Sequence, residues 1–194
     1  MSQATTLKPA QIKYLMRVTN GTSRHPERDC LVLLLGFTCG MRVTEIAQIE
    51  VQDVLFASGI ARLEVSLRAA ITKGCRQRCI YVMHKQTIAA LERYLAFRIA
   101  RGLGTKLTAD RYRGLSPATP LILRHKGSKF YLNTKRRKNH AGERVVYLAC
   151  DSLQAWITDV YQKAGIKQGS SHSGRRSFAT KWSESRYRSS ATWA

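Results

Sequence analysis

The residues with the most obvious capacity for chemistry lie in the segment His172-Ser173-Gly174-Arg175-Arg176. His172 and Arg175 stand three residues apart, so a helix through this stretch turns both toward one face. An arginine offers phosphate oxygens a planar fork of donors, and an imidazole offers a hydrogen bond or a proton, so the pair suits a single phosphate. Two other basic positions invite the same reading. Arg42 follows Gly40 and has Glu45 three residues after it. Taken alone, an arginine so placed is more often a surface residue or the structural partner of that glutamate. Lys73 lies in Thr72-Lys73-Gly74, a stretch of turn composition, where a solvated loop lysine is the ordinary occupant.

The elements that must hold these residues are readable in outline. Pro9, Ile12, Leu15 and Met16 predict a first helix through about Val18, ended by Asn20-Gly21. A second helix runs from about Pro26 through Leu31-Val32-Leu33-Leu34-Leu35-Gly36-Phe37 and stops at Gly40. It is apolar nearly all round and hence buried. Thr44 is then expected to cap a short helix holding Glu45, Ile46, Ala47 and Ile49. The period next switches to two. Ile60 to Val65 alternates, and Arg78 to Val82 is rich in β-formers, so the two runs are expected to pair as a small antiparallel sheet with Lys73 near its tip. Helical spacing returns from Lys85 to about Arg101. Leu121-Ile122-Leu123 reads as a short buried segment, and residues 124–144 form a basic stretch that includes Lys135-Arg136-Arg137-Lys138. A helix capped by Asp151 or Ser152 runs toward Gly165, and another begins near Ser171 and reaches Phe178 and Ala179. The fold class is therefore α+β, mostly α-helical with a small antiparallel β-sheet.

Charge limits the function classes. The chain has 194 residues, 33 Lys+Arg against 12 Asp+Glu, and a formal net charge of +21. Residues 1–67 are nearly balanced, and almost the whole excess lies in residues 68–194. With 44% hydrophobic residues and a mean hydropathy of −0.28, there is enough apolar material for a core, so general disorder is excluded. A compact chain this basic repels itself, and a polyanion relieves that repulsion, which makes nucleic acid the first partner to consider. The five cysteines form no zinc pattern: Cys75 and Cys79 lack a second pair, and no metal is expected. The start, MSQATTLKPAQ, has no apolar signal region, and the longest apolar run is too short for a bilayer. Reduced thiols and a cytoplasmic, DNA-associated protein with no membrane partner are the expectation.

The segment Leu34-Leu35-Gly36-Phe37-Thr38-Cys39-Gly40-Met41-Arg42-Val43-Thr44-Glu45-Ile46 resembles the first arginine box of the tyrosine recombinases, the phage-integrase family. His172-Ser173-Gly174-Arg175-Arg176-Ser177-Phe178-Ala179-Thr180 resembles its H-x-x-R box, and Lys73 lies between them, where that family has a catalytic lysine in a β-turn. Order and spacing agree at three separated places, which is more specific than any one motif. The resemblance implies a tyrosine-recombinase catalytic domain over residues 1–182 and an irregular tail over 183–194. It implies DNA strand cleavage and rejoining through a 3′-phosphotyrosyl intermediate, without cofactor, in a bacterial or phage-encoded protein. Arg42 and Arg175 would clamp the scissile phosphate, Lys73 would protonate the departing 5′ oxygen, and His172 would assist proton transfer or hold the phosphate. Lys135, Arg136, Arg137, Lys138 and Arg176 are candidate contacts to other DNA phosphates.

Family members continue past H-x-x-R to a second His or Trp and then the nucleophilic tyrosine, whereas this chain ends 19 residues after Arg175. The expectation is thus a catalytic domain lacking its nucleophile, with cleavage impaired. Tyr187 stands too close to Arg175 to be a good substitute. The relatives act as tetramers, so double-stranded DNA, further copies of the chain or a full-length recombinase are the implied partners. The competing reading is a non-catalytic protein that occupies recombination sites. A basic RNA-binding protein would explain the charge but not the three ordered motifs, and the sequence has no aromatic stacking signature.

Overall fold

The computed structural model describes residues 5–72, 75–138 and 142–190, with the side chains of residue 137 and of 182–190 outside that description. Seven α-helices and two separate two-stranded antiparallel sheets succeed one another along the described chain.

The second helix, α2 (Pro26–Cys39), is the axis of the molecule. Ten of its residues are buried, as expected of a helix that is apolar on every side. Gly40 ends it in the left-handed conformation, φ 60°, and the next residue, Met41, donates its N–H to Leu35 O at 3.2 Å. Around α2 pack α1 (Pro9–Thr22), α5 (Lys85–Ala100) and α7 (Ser173–Ser190). The approach of α7 is unusually close. A Cβ on Gly174 would lie 3.3 Å from Gly36 C and Cα, so glycine on both helices sets their spacing. The helix α6 (Asp151–Lys163) adds Leu153, Ile157, Val160 and Tyr161 to the same core. Leu121, Ile122 and Leu123 are buried, as their apolar run implies.

Several element ends differ from the sequence expectation. The helix α1 continues through Asn20-Gly21 to Thr22, because Gly21 stands in open space and Thr22 Oγ1 donates to Val18 O at 2.9 Å. In the short α3 (Val43–Ile46) the cap is Arg42 rather than Thr44, since the Glu45 carboxylate accepts the Arg42 N–H at 2.8 Å. A second one-turn helix, α4 (Val51–Val54), follows. The cap of α6 is Cys150, one residue before the expected Asp151. The helix α7 starts at Ser173, whose Oγ accepts the Ser170 N–H at 3.0 Å, and continues to Ser190. Its backbone stays helical past residue 182 because no Pro or Gly interrupts residues 175–190.

The strands β1 (Glu64–Leu67) and β2 (Arg78–Tyr81) pair antiparallel with Val65 opposite Ile80 and Leu67 opposite Arg78. The strand β1 begins four residues later than the alternation suggested. Ala61 instead forms an isolated bridge with Leu55. The basic stretch, less legible in the sequence, contains β3 (Asn133–Lys138), which pairs with β4 (Arg144–Ala149) in a second hairpin. Among the described residues no helix is long and apolar enough to cross a membrane.

Candidate functional site

The site is built where α2 ends. Because Gly40 turns the chain sharply there, Arg42 and Glu45 emerge beside the C-terminus of α2, and the first turns of α7 pass alongside. A Cβ on Gly40 would lie 2.8 Å from Phe178 Cε1 and 3.1 Å from Cγ, so the ring of α7 rests directly on this glycine. That contact brings Arg175 to the turn, where its guanidinium donates to the Gly40 carbonyl.

Glu45 is the anchor. Its side chain is completely buried, and it accepts from Arg42 Nη1 at 2.8 Å and from Arg78 Nη2 at 2.5 Å, besides the Arg42 backbone N–H. Burial by itself would raise its pKa. Hydrogen bonds from Arg78 and Arg42 outweigh burial and hold the carboxyl below its ordinary value. Glu45 therefore stays charged and fixes both arginines. Arg175 is affected in the opposite sense to an arginine on a salt bridge: burial first, then the nearby charges of Arg42 and Arg78, lower its pKa. Three guanidiniums thus share one carboxylate and one carbonyl. The cluster carries two uncompensated positive charges, and the Arg42 and Arg78 side chains are 32% and 28% exposed, open to an anion from solvent.

Of the residues singled out from the sequence, Arg42 and Arg175 meet in this cluster. His172 is exposed and directly precedes α7, its carbonyl accepting the Arg176 N–H at 3.0 Å. It is therefore on the first turn of the helix that carries Arg175. Lys73 lies outside the described residues. The residues on either side of it are joined: Thr72 Oγ1 donates to Arg76 O at 2.6 Å, and the Cys75 N–H donates to Thr72 O at 3.2 Å. Lys135, Arg136 and Lys138 are not in the arginine cluster but on β3, and the Arg137 side chain lies outside the described residues. Arg176 is half-buried beside the cluster on α7. The Tyr187 side chain is likewise outside the described residues.

Sequence reasoning missed Arg78. It was read only as the first residue of a β-rich run, yet it is in phase with Ile80 and Val82, both buried, and so occupies an inward slot of a period-two pattern. An arginine in an apolar slot requires a buried carboxylate, and that signal was available. The cysteines are all free thiols, with Cys30, Cys39 and Cys150 buried and Cys75 and Cys79 exposed.

The fold is similar to those of solved recombinases. XerA recombinase superposes with a TM-score of 0.61 at 19% identity, covering 93% of this chain and 51% of that one. XerH site-specific recombinase, solved bound to palindromic difH substrate as a post-cleavage complex, gives 0.59 at 18% identity, covering 96% and 44%. The Tn1549 transposon integrase, in complex with transposon right end DNA, gives 0.56 at 16% identity, covering 95% and 55%. The chain spans about half the length of these solved relatives. Among curated proteins none matches. The family model described as "Phage integrase family" matches residues 5–190, nearly the whole chain, so this chain belongs to the phage integrase family, the tyrosine recombinases.

Proposed function

We propose that this chain binds duplex DNA and serves in site-specific recombination of the tyrosine type, holding a scissile phosphodiester between Arg42 and Arg175. The observation that supports this most directly is the charge imbalance at the end of α2: Arg42 and Arg78 pair with the one buried carboxylate of Glu45 while Arg175 is held beside them by the Gly40 carbonyl, leaving an excess of positive charge at a partly exposed edge. Attack on phosphorus builds negative charge on the non-bridging oxygens, and preorganised guanidiniums stabilise that charge more than they stabilise the ground state. His172, on the same helix turn as Arg175, would hold the phosphate or move a proton. Lys73 would protonate the 5′ oxygen as the bond from phosphorus to that oxygen breaks and a tyrosine oxygen takes its place. The reverse attack by a 5′ hydroxyl would rejoin the strand and release the tyrosine. Arg176, Arg136, Arg137 and Lys138 would contact flanking phosphates, while Lys135 is engaged by Asp151. Assembly with further copies, or with a full-length recombinase, belongs to the same reading. The DNA complexes of the XerH and Tn1549 proteins are consistent with this partner.

The test has two parts. Binding to a duplex at low salt should fall at least tenfold in Arg42→Ala and in Arg175→Ala, and binding that neither change affects would refute the phosphate clamp. Incubation with a suicide DNA substrate then locates the nucleophile. A covalent protein–DNA adduct that disappears in Tyr187→Phe assigns it to this chain, whereas binding without an adduct restricts the chain to occupying DNA.

A further inference from the structure

The hairpin of β3 and β4 has two faces of different character. Its register puts Asn133 opposite Ala149 and Lys135 opposite Tyr147 on one face, and Thr134 opposite Leu148, Arg136 opposite Val146 and Lys138 opposite Arg144 on the other. The first face is tied to the body of the protein. Lys135 Nζ lies 2.5 Å from Asp151 Oδ1, and Asn133 Nδ2 donates to Asp151 Oδ2 at 2.9 Å, at the start of α6. The second face is exposed along its length, with Val146 at 60% and Leu148 at 44%. Among the described residues, Arg136, Lys138 and Arg144 have no carboxylate partner.

We propose, resting on the reading of this chain as a DNA-binding recombinase, that this second face enters the major groove of duplex DNA. In that position Arg136, Lys138 and Arg144 reach phosphates, and Thr134, Val146 and Leu148 touch thymine methyl groups. A two-stranded ribbon fits the width of that groove, about 12 Å, and thymine is the one base that presents a methyl group there. Six-residue strands extend about 20 Å, enough to follow roughly half a helical turn. The face combines cations at one end with aliphatic side chains at the other, which matches a surface of phosphates flanking methyl groups. A second copy of the chain fits poorly: a two-fold contact through this face would bury Arg136, Lys138 and Arg144 against a surface of Thr134, Val146, Leu148 and like cations that contains no acid.

The experiment measures binding against salt for duplexes containing thymine and for the same duplexes with every thymine replaced by uracil. Three proteins are compared: the unaltered chain, the Arg136→Gln/Lys138→Gln/Arg144→Gln variant and the Val146→Ser/Leu148→Ser variant. All five positions are exposed, and circular dichroism checks that each variant is folded. The triple variant should lose about 2 to 3 from the magnitude of the log–log salt slope. The unaltered chain should bind the uracil duplex about fourfold or more weakly, on the scale of one buried methyl-sized contact, and the Val146→Ser/Leu148→Ser variant, which keeps only Thr134 as a methyl contact, should lose most of that difference. An unchanged slope in the triple variant, or indifference of the unaltered chain to uracil, overturns the proposal while leaving the chain a DNA-binding protein. So does a dimer that dissociates in Val146→Ser/Leu148→Ser with DNA affinity intact, which would make the face an interface between copies. Failure of the unaltered chain to bind any duplex at low salt would instead remove the underlying functional reading.

Discussion

Replacing Gly40 by alanine tests the construction of the site most sharply, because one residue ends α2, supports Phe178 and presents its carbonyl to Arg175. Two costs are separable. An L-residue held at φ 60° costs about 1 kcal/mol or slightly more relative to glycine. The new Cβ would also lie 2.8 Å from Phe178 Cε1 and 3.1 Å from Cγ, and closer still to Cδ1, well inside ordinary van der Waals contact. Relieving that overlap requires the ring, and with it α7, to move, and overpacking of this kind costs about 1–3 kcal/mol. The sum, about 2–4 kcal/mol, is a large part of a typical domain stability of about 5–15 kcal/mol. Urea unfolding of Gly40→Ala, Phe178→Ala and the double variant separates the two contributions. Removing the ring abolishes the overlap but not the backbone strain, so the double variant should be more stable than additivity allows by about 1–3 kcal/mol. DNA affinity should follow the same pattern, falling in Gly40→Ala as Arg175 leaves the Gly40 carbonyl and recovering in part in the double variant. Strict additivity, within about 0.5 kcal/mol, would refute the claim that Phe178 seats α7 on Gly40.

Glu45→Gln should destabilise the fold by about 1–3 kcal/mol, since a buried acceptor for two charged donors loses its charge. Because the folded-state pKa of Glu45 is lowered, its contribution is fully present above the ordinary glutamate pKa and is lost as pH falls through the folded value. Acid unfolding curves should therefore lose part of their steepness in Glu45→Gln, and identical curves would contradict the pairing. Arg98 is completely buried and donates to the carbonyls of Leu103, Pro120 and Leu121, at 2.9 Å and 3.0 Å for the last two. Arg98→Met leaves these acceptors bare and should cost about 3–5 kcal/mol in thermal or urea unfolding, and a loss below about 1 kcal/mol would show that water replaces the guanidinium. Duplex DNA at a hundred times its dissociation constant should stabilise the folded chain by about 2.7 kcal/mol. At that same DNA concentration Arg42→Ala should gain visibly less, and an equal gain would place the DNA elsewhere.

What could be read from the sequence divides by whether an element buries an apolar face. The helix α2 was legible at both ends, because Leu31 to Phe37 must be enclosed and Gly40 is the residue that tolerates φ 60°. The pairing of β1 with β2 was legible for the same reason, through Val65 and Ile80. The hairpin of β3 and β4 was not, since Lys135 to Lys138 shows no alternation of apolar and polar residues. One of its faces is held by Asp151 and the other is exposed, so neither imposes a hydrophobic period. The helical backbone of α7 beyond Lys181 was hidden similarly: its residues carry no apolar stripe, and only the absence of a helix breaker favours the helix. In the site, Arg42 and Arg175 were legible by motif; the inward slot of Arg78 was legible from its phase with Ile80 and Val82, but its partner was not, because Glu45 is 33 residues away and one contact across a fold leaves no local pattern.

The cluster at Glu45 holds a small part of the net charge of +21, and unlike the rest it is gathered rather than spread. Surface lysines and arginines can hold such a charge apart at little cost, since solvent and salt screen them. Arg42, Arg78 and Arg175 are instead drawn within reach of one another by a carboxylate buried completely in the core and by the carbonyl that ends α2. Bringing like charges together costs free energy: after burial, which lowers the pKa of Arg175 most, the nearby charges of Arg42 and Arg78 lower it further, and one arginine would neutralise Glu45. A bound anion reverses that cost, converting mutual repulsion into shared attraction for the same ligand. Glu45 therefore does more than cap α3. Without it Arg42 and Arg78 would be free to spread into solvent, and under the proposed function a phosphate would have to gather them beside Arg175 at its own expense in affinity.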